Sequence, residues 1–299
     1  MRNRRVVTVP ISLYKGDAPH KNYDISIPDL IHSELSVYEV GERISSGGNA
    51  VVHVCYERAT GDEFAVKFQL NFSKKSISRF DKEKKLYQIS SHDHLIQYVD
   101  DGEVVSQITQ HRRGKRSTKE ESIRFIVMDL ASMNLSEELK GKLHPRYEVY
   151  APQLRGLARG LGKLHEFALH RDIKPHNILV VGERWVLSDF GLCSFHNDTS
   201  ELSRQDEVIG PRFWMSPEAN NRNIGVDDEI TKASDVFQLA AVFWVVVNGK
   251  HPTGVVTKND WVGPDKLFDP IYYALHNDPY KRPKDGFEFS EEIEHAILP

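Results

Sequence analysis

The sequence predicts an α+β protein in which a small β-rich lobe is followed by a larger α-rich lobe. The first half carries short β-branched and aromatic runs, at residues 51–56, 62–68 and 123–128, which are typical of strands. The second half carries leucines at helical spacing and a long apolar segment at 236–247. A chain of 299 residues has room for two such lobes, and the change from strands to helices falls near Asp129–Met133.

One helix, near Ser76–Ser90, interrupts the predicted strands. Phe80, Glu83 and Tyr87 follow each other at spacings of three and four residues, so they lie on one face of that helix. Gly61 supplies a turn between the first two strands. The small lobe therefore combines a sheet with one key helix.

Two helices define the larger lobe. Leu154, Leu157, Leu161 and Leu164 fall on one helical face. A second helix is predicted to start at Ser234, as its N-cap, and to stop before Gly249 and Pro252. It is apolar on nearly all sides, which indicates a position in the centre of a lobe.

The predicted domain organisation is one catalytic unit behind an extension. Residues 1–36 contain three prolines and no clear period, and they are interpreted as an N-terminal extension. Residues 37–130 form the predicted N-lobe and residues 131–299 the predicted C-lobe. The charged segment Gln107–Ser122 is interpreted as a solvated loop, and a docking site for an acidic partner is the less favoured alternative.

Composition narrows the classes of function and location. There are 39 Lys and Arg against 43 Asp and Glu, a formal net charge of −4, which argues against a nucleic-acid partner. Two cysteines exclude a disulfide framework and fit a reducing compartment such as the cytoplasm. The longest apolar run, Leu239–Val247, is too short for a membrane span.

Two features of the first half point to anion binding. Small residues at 45–50 lie between two strand-like runs, and such a turn lets backbone N–H groups approach phosphate oxygens, although taken alone an ordinary hairpin is the favoured interpretation. Lys67 ends an apolar strand and would point inward together with Ala65. A buried ammonium group needs an anion, and Glu83 is the inferred partner. The alternative is that both are surface residues.

The second half concentrates polar groups beside short apolar strands. Asp172, Lys174 and Asn177 occur within six residues, and Asp189 follows shortly after. One carboxylate and one amide oxygen suit Mg²⁺ better than zinc or copper. The remaining carboxylate, Asp172, can accept a proton from an attacking hydroxyl.

In these motifs the sequence resembles the eukaryotic-type (Hanks-type) serine/threonine protein kinases. The resemblance covers about residue 37 to the end, and the order and spacing of the motifs agree with it. Four segments carry it, namely the catalytic loop His170-Arg171-Asp172 with Lys174 and Asn177, the metal-binding triplet Asp189-Phe190-Gly191, the strand lysine in Ala65-Val66-Lys67, and the end of the activation segment, Ser216-Pro217-Glu218.

The resemblance implies a bilobal kinase fold, ATP as phosphoryl donor, and Mg²⁺ as metal ion with Mn²⁺ as a second candidate. Asp172 would orient the substrate hydroxyl and take its proton, with Lys174 near the γ-phosphate. Lys67, positioned by Glu83, would hold the α- and β-phosphates. Asn177 and Asp189 would bind the metal. The implied nucleotide contacts are Ile44, Ser45, Gly47, Ala50, Val52, Ala65, Lys67, the gatekeeper Met128, the hinge residues Asp129 and Ala131, and Leu179.

The resemblance also implies a supporting framework. Asp235 would anchor the backbone of the catalytic loop, and Arg282 would pair with Glu218. A stack that reports the active arrangement would consist of Tyr87, Tyr98, His170 and Phe190.

Three departures from the family pattern stand out. The glycine-rich turn reads Ser45, Gly47 and Ala50 where three glycines are usual, which predicts lower mobility of the turn without loss of binding. Pro211 takes the place of a threonine and has neither hydroxyl nor N–H. A different substrate-facing loop is favoured over weak turnover, because every phosphate- and metal-handling residue is retained. Asp206 and Glu207 occupy the region of the usual activating phosphate.

Two regulatory hypotheses follow from the last departure. The acids imitate the phosphate in part, or self-phosphorylation at Thr199, Ser200 or Ser203 activates the enzyme. An ordinary solvated acidic loop carries about the same weight as mimicry.

The preferred interpretation of function is a serine/threonine protein kinase that acts on protein substrates. The main alternative is a pseudokinase-like nucleotide-binding scaffold, which is disfavoured because Lys67, Asp172, Asn177 and Asp189 are all present. A kinase of small molecules is a third possibility, and the segment that ends at Glu218 argues against it.

Overall fold

The computed structural model describes residues 10–15, 23–47, 49–112, 115–140, 145–196 and 213–298. The chain divides into two compact units, one of residues 1–80 and 98–130, the other of residues 81–97 and 131–299. Strands dominate the first unit and helices the second. The predicted α+β class is therefore confirmed.

The first unit is built on one eight-stranded antiparallel sheet. Its order is β1-β2-β7-β8-β6-β5-β4-β3. The strands predicted at 51–56 and 123–128 are confirmed as parts of β5 and β8, and the strand predicted at 62–68 is confirmed as β6, which begins one residue later. The bounds are β1 Pro10–Lys15, β2 Tyr23–Pro28, β3 Leu30–His32, β4 Val37–Ser46, β5 Ala50–Glu57, β6 Glu63–Gln69, β7 Tyr98–Arg112 and β8 Lys115–Met128.

Three of these strands lie in the predicted extension, where the sequence analysis assigned no element. The inward side chains of β1 to β3 are Leu13, Ile25, Ile27 and Ile31, and all are fully or almost fully buried. The two prolines of these strands, Pro10 and Pro28, occupy strand ends, where the missing N–H group is tolerated. These residues are part of the core of the first unit.

The interpretation of Gln107–Ser122 as a solvated loop is wrong. The segment belongs to a long hairpin of β7 and β8, with Ile108 opposite Lys119 and Gln110 opposite Ser117. Val104, Ser106 and Ile108 alternate toward the core and are buried, and Val104 and Ile108 belong to the same core cluster as Ile25 and Ile27 of β2. The sequence did not show the alternation that is typical of strands, because the exposed positions of β8 carry many charged residues.

The predicted helix of the first half is α1, Lys74–Ile89. Phe80, Glu83 and Tyr87 are all buried, as their shared face predicts. Residues 74–80 of this helix belong to the first unit and residues 81–89 to the second.

The described residues of the second unit form six further helices and short strands. The four leucines at 154–164 are fully buried on α3, which confirms their shared face. The helices are α2 Leu135–Glu138, α3 Tyr147–Leu164, α4 Pro217–Asn223, α5 Lys232–Asn248, α6 Asp265–Ala274 and α7 Gly286–Ile297. The strands are β9 Met133–Asn134, β10 Ala168–Leu169, β11 Ile178–Val181, β12 Arg184–Leu187 and β13 Ser194–Phe195.

Helix α5 starts earlier than predicted. It begins at Lys232 with Thr231 as its N-cap, so Ser234 is the third helical residue and not the cap. The Ser234 hydroxyl accepts a hydrogen bond from the Thr231 backbone N–H at 2.9 Å, a pairing that fixes the N-cap at Thr231. The predicted end holds, since Gly249 closes the helix with φ +67°. Fourteen of its 17 residues are buried, as its apolar circumference predicts.

In the described part of the chain, none of the helices combines the length and the apolar character that crossing a bilayer requires.

Candidate active site

The loop before β11 is anchored by Asp235 of helix α5, as predicted. Its carboxylate accepts hydrogen bonds from the backbone N–H groups of His170, at 2.7 Å, and Arg171, at 2.8 Å. The imidazole Nε2 of His165 lies 3.1 Å from the same carboxylate. Burial alone would raise the pKa of Asp235, but the His165 and backbone hydrogen bonds outweigh it and hold the pKa below its ordinary value. Arg171 itself has φ +69°, a conformation that needs such support.

Asp172 is buried and held by two neighbours. The Lys174 Nζ lies 2.8 Å from Oδ2 and 3.1 Å from Oδ1 of its carboxylate. The Asn177 amide nitrogen donates to Oδ2 and to the backbone carbonyl of Asp172, both at 2.8 Å. The three predicted residues Asp172, Lys174 and Asn177 therefore form one hydrogen-bonded cluster.

Two paired strands bring Asn177 and Asp189 to the same end of a small sheet. Asn177 precedes β11, Asp189 follows β12, and Ile178 pairs with Leu187. Ser188 donates to the Asn177 carbonyl from both its backbone N–H, at 2.9 Å, and its hydroxyl, at 3.0 Å. Asp189 adopts a left-handed conformation, φ +60° and ψ +71°, which is rare for a residue with a side chain.

This donor set fits a hard divalent cation. The Asn177 amide nitrogen is engaged by Asp172, so its oxygen Oδ1 is the atom that remains to act as a ligand. With the Asp189 carboxylate it offers oxygen ligands only, which suit Mg²⁺. Among the residues that the structure describes, no group of three or more His, Cys, Asp or Glu side chains is arranged to hold a metal. A zinc-type or copper-type site is not favoured by this donor set.

Glu83 of α1 faces the Asp189-Phe190-Gly191 segment. The Tyr87 hydroxyl donates to Glu83 Oε1 at 2.7 Å. A Cβ added to Gly191 would lie 3.6 Å from Glu83 Oε2 and 3.4 Å from Asp189 Oδ1. Burial and the nearby charges of Glu83 and Asp189 raise the pKa of Tyr87 well above its ordinary value. Tyr87 therefore stays protonated and acts as the donor.

Three members of the predicted aromatic stack are in contact. The Tyr87 and Phe190 rings lie 4.8 Å apart, and the His170 and Phe190 rings 5.6 Å apart. The fourth member, Tyr98, belongs to the first unit, where its hydroxyl donates to Asp101 at 2.6 Å.

Five of the predicted nucleotide contacts of the first unit share one face of the sheet. Val52 lies opposite Lys67, Ala65 opposite Met128, and Ser45 opposite Val52. Because directly opposed residues point the same way and Ala65 and Lys67 are two apart, all five side chains lie on that face. The turn after β4 is closed by a hydrogen bond from Gly47 N–H to the Ala50 carbonyl at 2.9 Å.

The remaining predicted contacts are divided between the two units. Ile44 is exposed on β4, next to the turn. Asp129 follows Met128 at the end of β8 in the first unit. Ala131 and Leu179 belong to the second unit, where Leu179 lies on β11 and is half-buried.

Glu218 and Arg282 form a buried ion pair, as predicted. The guanidinium donates to both carboxylate oxygens, at 2.8 and 2.9 Å. Burial alone would raise the pKa of Glu218, but the hydrogen bonds from Arg282 and Ser234 and the charge of Arg282 lower it. The other expectations for this region, on Thr199, Ser200, Ser203, Asp206, Glu207 and Pro211, lie outside the described residues.

Sequence reasoning did not assign three residues that support the cluster. His165 contacts Asp235, the Gln238 side chain accepts a hydrogen bond from Ile173 N–H at 2.9 Å, and Ser188 ties Asn177 to the residue before Asp189. Only Ser188 carried a local signal, as a polar residue at the end of an apolar strand.

Comparisons with known proteins agree on one family. Residues 38–285 match the family model of the protein kinase domain. The serine/threonine-protein kinase PrkC of Bacillus subtilis is 27% identical over 224 residues, which are 72% of this chain and 31% of that protein. A probable serine/threonine-protein kinase of Clostridium acetobutylicum is 25% identical over 278 residues, 86% of this chain and 38% of that protein.

A third relative matches a shorter segment. The human serine/threonine-protein kinase/endoribonuclease IRE2 is 35% identical over 145 residues, 44% of this chain and 15% of that protein. The chain thus spans less than half the length of each of these three relatives.

Proposed function

The chain belongs to the Hanks-type serine/threonine protein kinase family, and we propose that it transfers the γ-phosphoryl group of ATP to serine or threonine hydroxyls of protein substrates. In this reaction the acceptor oxygen forms a bond to the γ-phosphorus while the bond to the β,γ-bridging oxygen breaks. The proton of the hydroxyl leaves to a base, and ADP departs.

Asp172 is the proposed base. Its carboxylate is held by Lys174 and Asn177, so it keeps one orientation and accepts the hydroxyl proton without rearrangement. The Lys174 ammonium group lies on the same carboxylate, and we assign it to the charge of the transferred phosphoryl group as well.

Asn177 and Asp189 are the proposed metal ligands. Proteins of this family use ATP with a divalent ion, and the two oxygen donors favour Mg²⁺, with Mn²⁺ as a second candidate. When bound, the ion supplies neutralisation of phosphate charge. The Ser188 hydrogen bonds hold the backbone of Asn177 beside the strand that leads to Asp189.

The first unit supplies the proposed contacts to the rest of the nucleotide. Backbone N–H groups near Gly47 are assigned to the phosphates, and Lys67 to the α- and β-phosphates. Val52, Ala65 and Met128 offer an apolar face to adenine. The predicted ion pair of Lys67 with Glu83 remains part of this proposal.

The proposed partners are proteins with serine or threonine acceptors. Self-phosphorylation at Thr199, Ser200 or Ser203 is included, while a nucleic-acid substrate is not proposed on the formal net charge of −4. The cysteine content favours a reducing compartment, and we propose the cytoplasm.

The single observation that carries this proposal is the Asp172–Lys174–Asn177 cluster beside Asp189. Incubation with γ-labelled ATP and Mg²⁺, followed by mass spectrometry, tests it with wild type beside Asp172→Ala. We expect phosphoserine or phosphothreonine in the wild-type reaction and at least about 100-fold less in the variant. Full labelling by the variant would remove Asp172 as the base, and no labelled protein in either reaction would favour a nucleotide-binding scaffold.

A further inference from the structure

Asp100 of the first unit lies outside the site described above, and its buried carboxylate accepts three hydrogen bonds. It is only 3% exposed. Its Oδ2 accepts from the hydroxyls of Ser33 and Tyr38, the latter at 2.9 Å, and its Oδ1 accepts from the backbone N–H of Asp101 at 2.8 Å. Burial, reinforced by the Asp100 carboxylate, raises the pKa of Tyr38, so this hydroxyl remains a donor.

Asp100 lies at a β-bulge next to the proposed adenine contacts. Strand β7 pairs Tyr98 with Met128 but Asp100 with Val127, so the register shifts at Val99. Bulges interrupt the ladder and set the direction of neighbouring side chains. The Asp100 carboxylate bonds the bulge backbone through Asp101 N–H, and the bulge therefore depends on the donors that hold this carboxylate.

The two hydroxyl donors lie on either side of the start of the matched domain. Ser33 precedes the family match, which begins at residue 38, and Tyr38 stands at its first position. The Ser33 hydroxyl oxygen also accepts from the N–H groups of Leu35, at 3.1 Å, and Ser36, at 2.9 Å. The hydrogen bonds of this turn therefore hold the Ser33 hydroxyl in position to donate to Asp100.

The course of the chain explains how this segment reaches β7. Strand β2 pairs with β7 at one end of the sheet, β3 pairs with β4 at the other, and one residue separates β2 from β3. The sheet must therefore curl so that its two ends meet at β7. A Cβ added to Gly102 of β7 would lie 3.3 Å from the His32 carbonyl and 2.6 Å from the Phe125 ring, so the close approach requires glycine.

We propose that residues 23–38 are a positioning segment for the adenine contacts, acting through the hydrogen bonds of Ser33 and Tyr38 to Asp100 and through the bulge beside Met128. The inference rests on the proposed ATP-dependent function. Ser33, Tyr38 and Asp100 are positioning residues, since none of them lies among the proposed nucleotide contacts. Loss of one hydroxyl removes a donor from a buried carboxylate, and the bulge and the end of β8 gain mobility.

The test compares Ser33→Ala and Tyr38→Phe with matched controls from the same sheet. Ser122→Ala removes an exposed serine hydroxyl that donates to Glu103, and Tyr56→Phe removes an exposed tyrosine hydroxyl. Ser33→Thr retains the hydroxyl and serves as the rescue variant. Two quantities are measured, steady-state kcat and KM for ATP, and amide hydrogen exchange at residues 99–101 and 127–128.

We expect KM for ATP to rise about threefold to tenfold in Ser33→Ala and Tyr38→Phe, with kcat changed less than about twofold. Exchange at the bulge should accelerate in these two variants and stay at the wild-type rate in both controls and in Ser33→Thr. Unchanged exchange and unchanged KM in both variants would overturn the inference. A uniform fall in kcat with equal acceleration across the sheet would also overturn it, because that pattern reports general destabilisation.

The hydrogen-exchange measurement separates this inference from the proposed function. If wild-type protein transfers no phosphate, the proposed function fails, and the exchange rates at the bulge still decide whether Ser33 and Tyr38 hold it. If wild type is active and the exchange rates do not respond, the positioning role alone fails.

Discussion

At the scale of single residues, Asp172 is the proposed base. Asp172→Asn keeps the size of the side chain and removes its capacity to take a proton. We expect kcat to fall by about 100-fold to 10⁴-fold, with KM for ATP changed less than about threefold. Steady-state kinetics with a peptide acceptor check this expectation.

A matched acid supplies the control for that substitution. Asp93 has a side chain that is 88% exposed, and Asp93→Asn makes the same chemical change outside the cluster. It should leave kcat within about twofold of wild type. Equal losses in the two variants would show that the effect of Asp172→Asn is not specific to the site.

The Glu218–Arg282 pair makes a prediction about stability. Arg282→Met leaves a buried carboxylate without its partner and should lower the free energy of unfolding by about 3–5 kcal/mol. Arg58→Met removes one arm of an exposed pair with Glu39 and should cost about 0–1 kcal/mol. Urea denaturation measures both, and a similar cost for the two substitutions would contradict the buried geometry.

The buried carboxylates of Glu218 and Asp235 should also make the free energy of unfolding depend on pH under acidic conditions. The pKa values of Glu218 and Asp235 are lowered in the folded state from ordinary values of 4.5 and 3.8. A lowered folded pKa gives stability that is complete above the ordinary value and is lost as pH falls through the folded value. The free energy of unfolding should therefore decline below about pH 4.5, and Glu218→Gln should reduce this decline. Denaturation curves from pH 7 to pH 3 check it, and an unchanged slope in Glu218→Gln would argue against the linkage.

The residues of the cluster were predictable to different degrees. Asp172, Lys174, Asn177 and Asp189 lie close in sequence and next to short apolar strands, so local pattern was sufficient. His165 and Gln238 join the cluster through contacts that span 70 and 65 residues. Such contacts are decided by the packing of α3 and α5, which no local pattern specifies.

At the scale of elements, the segment predicted to be an extension contains strands β1 to β3, which belong to the sheet of the first unit. The sequence did not indicate β1 to β3, because this segment contains prolines and only short apolar runs. It did not indicate the hairpin of β7 and β8, because charged residues mask the alternation of apolar and polar positions. Both cases reflect the dependence of a strand on the neighbours with which it pairs and packs. By contrast, α3 and α5 were predicted from their own apolar pattern. Only the start of α5 differed, where a capping interaction overrode the preference for serine as the N-cap.

Deletion of residues 1–36 tests this result. It removes the buried side chains of Leu13, Ile25, Ile27 and Ile31, whose burial contributes about 6–12 kcal/mol, an amount comparable with the whole stability of a domain. We expect the shortened chain to lose its cooperative thermal transition.

The control for the deletion is a substitution in the same segment. Leu35 is 78% exposed, and Leu35→Ser should leave the transition within a few degrees of wild type. A cooperative transition of the shortened chain at the wild-type temperature would mean that the three strands are dispensable.

At the scale of the whole molecule, the residues to which we assign roles are divided between the strand-rich and the helix-rich unit. The first carries Val52, Ala65, Lys67 and Met128 on one sheet face, and the second carries the cluster of Asp172, Lys174 and Asn177. The division into lobes was predictable because hydrophobic periodicity changes along the chain. The curling of the eight-stranded sheet was not, because it depends on β2 and β3 joining opposite ends of that sheet.

The most direct test of the central claim is calorimetric titration of a nonhydrolysable ATP analogue, with and without Mg²⁺. Wild type is compared with Asn177→Ala/Asp189→Ala, and Asp93→Asn serves as the control. We predict that Mg²⁺ strengthens binding to wild type and to the control by at least about tenfold, and that the double variant loses this gain because its oxygen ligands are gone. Binding of equal strength with and without Mg²⁺, or no heat in wild type, would contradict the account.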